Sequence, residues 1–171
     1  MISASEKRIL IVDDEPDVLI FLSACLEDAG FEVEGAVDGV DALEKIDDFS
    51  PDLMTLDLNM PRMSGIKVMR ALRKNEKWAK LPIIVITAHA HDELGGEQIE
   101  EFMASTSNVS PRRTLEKPLS PENIVKVICE ILDVTPATVE EVTDERSKIM
   151  NLVNETDPET LRKIGEMLNK K

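Results

Sequence analysis

Residues 8–14 read RILIVDD, and this stretch decides the fold because a continuous apolar run ends abruptly in two carboxylates, Asp13 and Asp14. An uninterrupted apolar run of this length is typical of a strand that is buried on both faces of a parallel sheet. Three further β-like runs also stop at a polar residue. The run 52–56 stops at Asp57, the run 81–86 at Thr87, and the run 114–116 at Lys117.

The segments between these runs carry apolar residues at helical spacing, so strands and helices alternate along the chain. This order predicts an α/β fold: a doubly wound, five-stranded parallel sheet with right-handed crossovers and helices on both faces. The remaining strand of the five is 31–36, which is the second along the chain. The helices begin near Pro16, Gly39, Ile66 and Pro121.

The polar run ends predict a ligand site, because open α/β sheets bind ligands at the carboxyl edge of their strands. Three carboxylates, from Asp13, Asp14 and Asp57, would meet there with the hydroxyl of Thr87 and the ammonium of Lys117. Gathered carboxylates need a cation, and a hard divalent ion suits ligands that are all oxygen. The pattern therefore predicts a metal-assisted phosphate site.

The composition is that of a globular protein with an acidic surface. Of 171 residues, 42% are apolar and 32% charged, and the net charge is −14. This charge argues against a surface that neutralises nucleic-acid phosphates or anionic lipid. We find neither an apolar stretch of about 20 residues nor a signal-peptide pattern, and we expect a cytoplasmic protein without membrane contact. Cys25 and Cys129 lack metal-ligand spacing and are expected to be reduced thiols.

The pattern predicts two parts, a domain at 1–134 and a helical C-terminal extension at 135–171. Two short helices would open at Thr135-Pro136 and Asp157-Pro158, where a capping residue precedes proline. A hairpin of this size buries little core alone, so it would serve dimerisation, giving a homodimer, or docking. Residues 133–171 hold nine acidic and six basic side chains, a net charge of −3, which disfavours DNA binding.

Four motifs in order at the strand ends resemble those of the receiver domain of bacterial response regulators. They are ILIVDDE at 9–15, DLNMPRMSG at 57–65, ITA at 86–88 and KP at 117–118. Each motif alone is weak, but the ordered set is specific, and the match extends over 8–132. The resemblance implies a flavodoxin-like sheet with strand order 2-1-3-4-5.

The resemblance also implies the chemistry of a phosphorelay. Asp57 would accept a phosphoryl group from a sensor histidine kinase or a phosphotransfer protein and become an aspartyl phosphate. Asp14, Asp57 and the backbone carbonyl of Asn59 would bind Mg²⁺ directly, and Asp13 would bind it mainly through water. Two further residues, Thr87 and Lys117, would contact phosphoryl oxygens, and the Lys117–Pro118 peptide bond would be cis.

For three neighbours of these residues, we expect either an influence on hydrolysis of the aspartyl phosphate or no role in the site. Asn59 and His89 are candidate tuners of the hydrolysis of the aspartyl phosphate. Glu15 is expected to face solvent and is left outside the site.

The chain departs from the family on the face that usually reports phosphorylation. Thr114 replaces the usual Tyr or Phe three residues before the lysine, and 30 positions separate Thr87 from Lys117, several more than is usual. The extra length falls in 91–112. We expect a stand-alone receiver that is phosphorylated and signals by protein contact, with its output face rebuilt.

Two other functions stay open. One is a phosphorylation-independent binding module. The other is an aspartate-nucleophile phosphatase of the haloacid-dehalogenase type, which would require a second aspartate where this chain has Asn59. On the expected function the chain is not an enzyme beyond its own phosphorylation and dephosphorylation.

Overall fold

The computed structural model describes residues 2–88 and 111–136, which form an α/β fold. The strands in this part of the chain are β1 (Ile2–Ser3), β2 (Arg8–Val12), β3 (Glu32–Ala36), β4 (Leu53–Leu56), β5 (Ile83–Thr87), β6 (Arg113–Glu116) and β7 (Val134–Thr135). Its helices are α1 (Pro16–Asp28), α2 (Gly39–Phe49), α3 (Gly65–Lys74) and α4 (Pro121–Leu132), and a 3₁₀ turn spans Ala4–Glu6.

The main sheet has five parallel strands in the order β3-β2-β4-β5-β6. Counted along the chain, these five strands follow the predicted order 2-1-3-4-5. The α/β, doubly wound, flavodoxin-like fold is therefore confirmed. The ends of these strands and helices lie within about two residues of their predicted positions. Continuous apolar runs define the strands, and a proline at the first helical position marks the start of two helices.

The core has two layers, one on each face of the sheet, and β2 shows how the sequence divides them. Successive side chains of a strand point to opposite faces. Ile9 and Ile11 pack with α1 and α4, whereas Leu10 and Val12 pack with α2 and α3. All four side chains are at most 1% exposed. An apolar residue at every position of β2 is thus required by burial on both faces.

A second, two-stranded sheet was not predicted. The N-terminal β1 pairs in parallel with β7, which follows α4, in the register Ile2 with Val134 and Ser3 with Thr135. Two-residue strands carry too little periodicity to be found from sequence. Thr135, predicted to begin the extension, is therefore part of a strand.

Several predictions lie outside the described residues. These are most of the long segment 91–112 and the part of the extension from 137 onward. Within the described residues, Cys25 and Cys129 are both free thiols, as expected. Among the helices of the described residues, none combines the length and the hydropathy of a membrane-spanning segment.

Candidate functional site

The predicted site residues meet at the carboxyl edge of the main sheet because Thr87 ends β5, while Asp13, Asp14, Asp57 and Lys117 follow the ends of their strands by one or two residues. The amide of Asp57 donates to the carbonyl of Val12 at 2.9 Å, and the amide of Lys117 donates to the carbonyl of Thr87 at 3.0 Å. These two bonds extend the sheet beyond β4 and β6 and align the four strand ends. The side chains predicted to converge are therefore on adjacent strands.

Three carboxylates form the acidic part of the site. One oxygen from each of Asp13, Asp14 and Asp57 lies within 4.8 Å of the other two. Asp13 and Asp57 are buried, 1% and 5% exposed, while Asp14 is exposed. The Asp13 carboxylate accepts from the amide of Glu15 at 3.0 Å, and that of Asp57 accepts from the amide of Leu58 at 2.9 Å. Backbone amides thus orient the two buried carboxylates.

Burial and like charge act together on Asp57. The pKa of its carboxyl is raised overall from 3.8 to about 6, with burial as the largest cause and the carboxylates of Asp13 and Asp14 also raising it. The ammonium of Lys117 and the Leu58 amide oppose this rise. Negative charge at Asp57 is consequently held against an unfavourable environment.

The donor set fits a hard divalent cation. Mg²⁺ binds oxygen at about 2.0–2.1 Å in an octahedron, so its ligands are about 3 Å apart when adjacent and about 4.2 Å apart when opposite. The three carboxylate oxygens already lie within 4.8 Å of one another, so small side-chain rotations would suffice. A cation there would also relieve the repulsion that raises the pKa of Asp57.

Lys117 is the ammonium of the site, and it pairs with two carboxylates. Its Nζ lies 2.9 Å from a carboxylate oxygen of Asp13 and 2.6 Å from one of Glu15. Burial lowers the pKa of Lys117, but the bonds to Glu15 and Asp13 outweigh it and raise the pKa overall. No hydrogen bond or ion pair joins Lys117 to Asp57 within the residues that the structure describes.

Glu15 was placed outside the site by the sequence, and the structure brings its carboxylate to Lys117. The side chain is 59% exposed, as expected of a residue that faces solvent. It occupies the N-cap position of α1 but makes no capping hydrogen bond. A sequence signal existed: Glu15 precedes Pro16 at the same sheet edge and is a poor capping residue, so its carboxylate is available for another partner.

The remaining predicted residues are placed as follows. Thr87 ends β5 and is 2% exposed. Asn59 is exposed in the loop after β4, and His89 lies outside the described residues. The Lys117–Pro118 peptide bond is cis. Thr114 pairs with Val85, and its side chain is exposed. A small side chain on an edge strand therefore stands where the family usually has Tyr or Phe.

Two contacts support the loop that follows Asp57. The amide of Gly65 donates to the carbonyl of Leu58 at 3.0 Å, and a Cβ at Gly65 would collide with the carbonyl oxygen of Asp57. Asp38 caps α2 through the amides of residues 40 and 41 and forms an ion pair with Arg62. Arg62 has a φ of 63°, and this left-handed conformation is part of the loop geometry.

Comparison with known proteins gives one consistent family. The family model for the response regulator receiver domain matches residues 9–129. The alkaline phosphatase synthesis transcriptional regulatory protein PhoP of Bacillus subtilis is 32% identical over 142 residues, which cover 81% of this chain and 55% of PhoP. The DNA-binding dual master transcriptional regulator RpaA of Synechocystis is 41% identical over 81 residues, 47% of this chain and 34% of RpaA.

Solved structures agree with the sequence comparisons. The Vibrio cholerae chemotaxis protein CheY4 superposes with a TM-score of 0.63 at 31% identity, covering 72% of this chain and 97% of that one. A response regulator from Chloroflexus aurantiacus, described as putative, gives 0.64 at 31% identity over 74% and 98%. The chain spans less than two thirds of the length of the curated relatives, 34% of RpaA and 55% of PhoP.

Proposed function

Because this chain belongs to the family of response regulator receiver domains of two-component signalling, we propose that Asp57 is its phosphoryl acceptor. One observation carries the assignment. Asp57 is the buried carboxylate at the end of a central strand, with oxygens of Asp13 and Asp14 within 4.8 Å. A carboxylate kept ionised in such a place is suited to act as a nucleophile.

The proposed reaction is transfer from a phosphohistidine of a sensor histidine kinase or a phosphotransfer protein. An Asp57 oxygen forms a bond to phosphorus while the P–N bond breaks, and its electron pair stays on the leaving imidazole. Asp13, Asp14, Asp57 and the backbone carbonyl of Asn59 would hold Mg²⁺, which supplies neutralising positive charge for the phosphoryl group when bound. The chain is then a participant in phosphoryl transfer rather than an enzyme acting on a separate substrate.

Lys117 and Thr87 would bind the transferred group. The phosphoryl group carries charge on its peripheral oxygens, and an ammonium and a hydroxyl can each bind one of them. Lys117 is only 14% exposed at its side chain, and Thr87 is 2% exposed. Electrostatic attraction is stronger in such a poorly solvated place than in bulk water.

The surface of α1 beside the site is suited to a donor protein. Ile20 is 68% exposed and Phe21 is 37% exposed. Phe21 also lines a groove of about 540 Å³, together with Glu15, Asp17, Val18, Ala88, Lys117, Pro118 and Leu119. We propose that the apolar side chains of α1 dock the helix that carries the phosphohistidine.

The output is proposed to be protein contact rather than DNA binding, in the cytoplasm. The net charge of −14 opposes binding to nucleic acid. Thr114 cannot act as the swinging aromatic, so the segment 91–112 is proposed to report phosphorylation instead. The segment 135–171 is proposed as a homodimer or docking element, to be tested by ultracentrifugation of the full chain beside 1–134.

The decisive experiment is phosphorylation by acetyl phosphate with Mg²⁺, followed by mass spectrometry of the intact protein. We expect one phosphate on the wild type, none on Asp57→Asn and one on the matched control Asp17→Asn. The same reaction with EDTA should give no phosphate. A wild type that accepts no phosphate from acetyl phosphate or other small donors would leave the phosphorylation-independent binding module as the function.

Docking on α1 is tested separately. Ile20→Asp should slow transfer from a phosphorylated donor protein by at least tenfold and leave the rate with acetyl phosphate unchanged. Equal slowing with both donors would refute docking, because a small donor needs no protein surface.

A further inference from the structure

The most unexpected contact in the described part of the chain is the ion pair between Glu15 and Lys117. These residues are 102 positions apart, and their Oε1 and Nζ atoms are 2.6 Å apart. The pair ties the N-cap of α1 to the segment between β6 and α4. It is shorter than the 2.9 Å contact of the same ammonium with Asp13.

We infer that Glu15 is a positioning residue for Lys117: it holds the ammonium on the α1 side of the site before phosphorylation, and thereby slows phosphoryl transfer to Asp57. The inference rests on the function proposed above, in which Lys117 binds the phosphoryl group. It assigns a role in the rate of that step to a residue that neither binds metal nor accepts phosphate.

Competition for one ammonium is the physical reason. Among the described residues Lys117 forms ion pairs with Asp13 and Glu15, and it forms no ion pair with Asp57. A phosphoryl group arriving at Asp57 needs that positive charge, so the ammonium must weaken its bond to Glu15 as the transfer proceeds. The strength of the Glu15 pair in the resting state therefore adds to the barrier.

The exposure of the two partners sets the size of the effect. Lys117 is 14% exposed at its side chain but Glu15 is 59% exposed, so water and salt screen the pair on one side. Partly exposed ion pairs are weak, and their loss changes an equilibrium or a rate by about two- to fivefold. We expect the removal of Glu15 to accelerate transfer by this factor.

Removing any carboxylate near the site also reduces repulsion of an anionic donor, so a control for charge alone is needed. Asp17 provides it. It is exposed and lines the same groove as Glu15. Among the described residues the ion-pair partners of Lys117 are Asp13 and Glu15, and not Asp17. The comparison of Glu15→Gln with Asp17→Asn therefore isolates the contact with Lys117.

The first measurement concerns the metal-free protein and does not depend on phosphorylation. The full chain is treated with a limiting amount of acetic anhydride, and acetylation of Lys117 is followed by peptide mass spectrometry, with exposed Lys126 as the internal reference. Glu15→Gln should raise the Lys117 to Lys126 ratio about two- to fivefold, and Asp17→Asn should not change it. An unchanged ratio in Glu15→Gln would overturn the inference.

The second measurement is the rate of phosphorylation by acetyl phosphate at saturating Mg²⁺. Glu15→Gln should be about two- to fivefold faster than Asp17→Asn. If the two variants react equally fast, or Glu15→Gln is slower, Glu15 does not restrain Lys117 and the inference fails while the proposed function stands. If no variant is phosphorylated at all, the proposed function fails together with the rate effect.

Discussion

Replacing Asp57 with asparagine should stabilise the metal-free fold at neutral pH. The carboxyl of Asp57 is 5% exposed and has a pKa raised from 3.8 to about 6, because burial and the carboxylates of Asp13 and Asp14 disfavour its ionised form. Asparagine has nearly the same shape and keeps an oxygen to accept from the Leu58 amide. The variant therefore removes the charge with little change in packing.

The size and the pH dependence follow from the same pKa. A rise from 3.8 to about 6 corresponds to at most about 3 kcal/mol at neutral pH. Residual solvation reduces this, and we expect Asp57→Asn to gain on the order of 1–2 kcal/mol. Because the folded carboxyl has the higher pKa, the folded wild type loses stability as pH rises from about 4 to about 6. The advantage of the variant should grow over this range and then level off.

The assay is urea unfolding in EDTA at several pH values between 4.5 and 7.5, with wild type and variant side by side. Asp17→Asn is the control, because it removes one exposed carboxylate from the first turn of α1 and should be neutral or slightly destabilising. A gain for Asp57→Asn that is the same at every pH, or no gain at pH 7, would refute the electrostatic strain assigned to Asp57.

Three further results are expected. Gly65→Ala should lower the free energy of unfolding by about 1–3 kcal/mol in urea, because its Cβ collides with the Asp57 carbonyl oxygen; an unchanged midpoint would mean that the loop yields freely. Asp38→Ala should lower the melting temperature by about 5 °C in circular dichroism, since α2 loses its cap and Arg62 its partner; Arg62→Ala should cost less, and the reverse order would contradict the capping role. Mg²⁺ at about 100 times its Kd should stabilise the wild type by about 2.7 kcal/mol, and Asp14→Asn should lose most of this gain at the same concentration; equal gains would exclude Asp14 as a ligand.

The fold could be predicted because the sheet is buried on both faces. Ile9 through Val12 and Ile83 through Ile86 have to be apolar at every position, and such runs are uncommon outside parallel strands. Pro16 and Pro121 at first helical positions mark two helix starts. The convergence of the candidate site then follows from topology alone, since parallel strands place their carboxyl ends at one edge.

The contacts that the sequence did not predict join residues that are far apart in the sequence, and they depend on the positions of their side chains in the folded chain. Glu15 at the start of α1 and Lys117 after β6 are brought together by the tertiary fold, in which α1 packs against α4, and no periodicity encodes the distance between their charged atoms. The pairing of β1 with β7 likewise depends on where α4 ends, at Leu132. The sequence predicts that Lys117 binds the phosphoryl group, but it does not predict which residue Lys117 contacts in the unphosphorylated protein. Without a phosphoryl group, the lysine pairs with the nearest carboxylates.

Fold stability and ligand affinity are opposed in this site. One carboxylate oxygen from each of Asp13, Asp14 and Asp57 lies within 4.8 Å of the other two, and among the described residues Lys117 forms an ion pair with Asp13 but not with Asp57. The ionised carboxylate of Asp57 destabilises the metal-free fold, and a bound cation removes this destabilisation because it relieves the same repulsion. A substitution that stabilises the metal-free fold by removing a carboxylate must therefore weaken Mg²⁺ binding. For Asp57→Asn, stability of the metal-free fold and Mg²⁺ affinity should therefore change in opposite directions, and a variant that gained both would show that Asp57 is not a metal ligand.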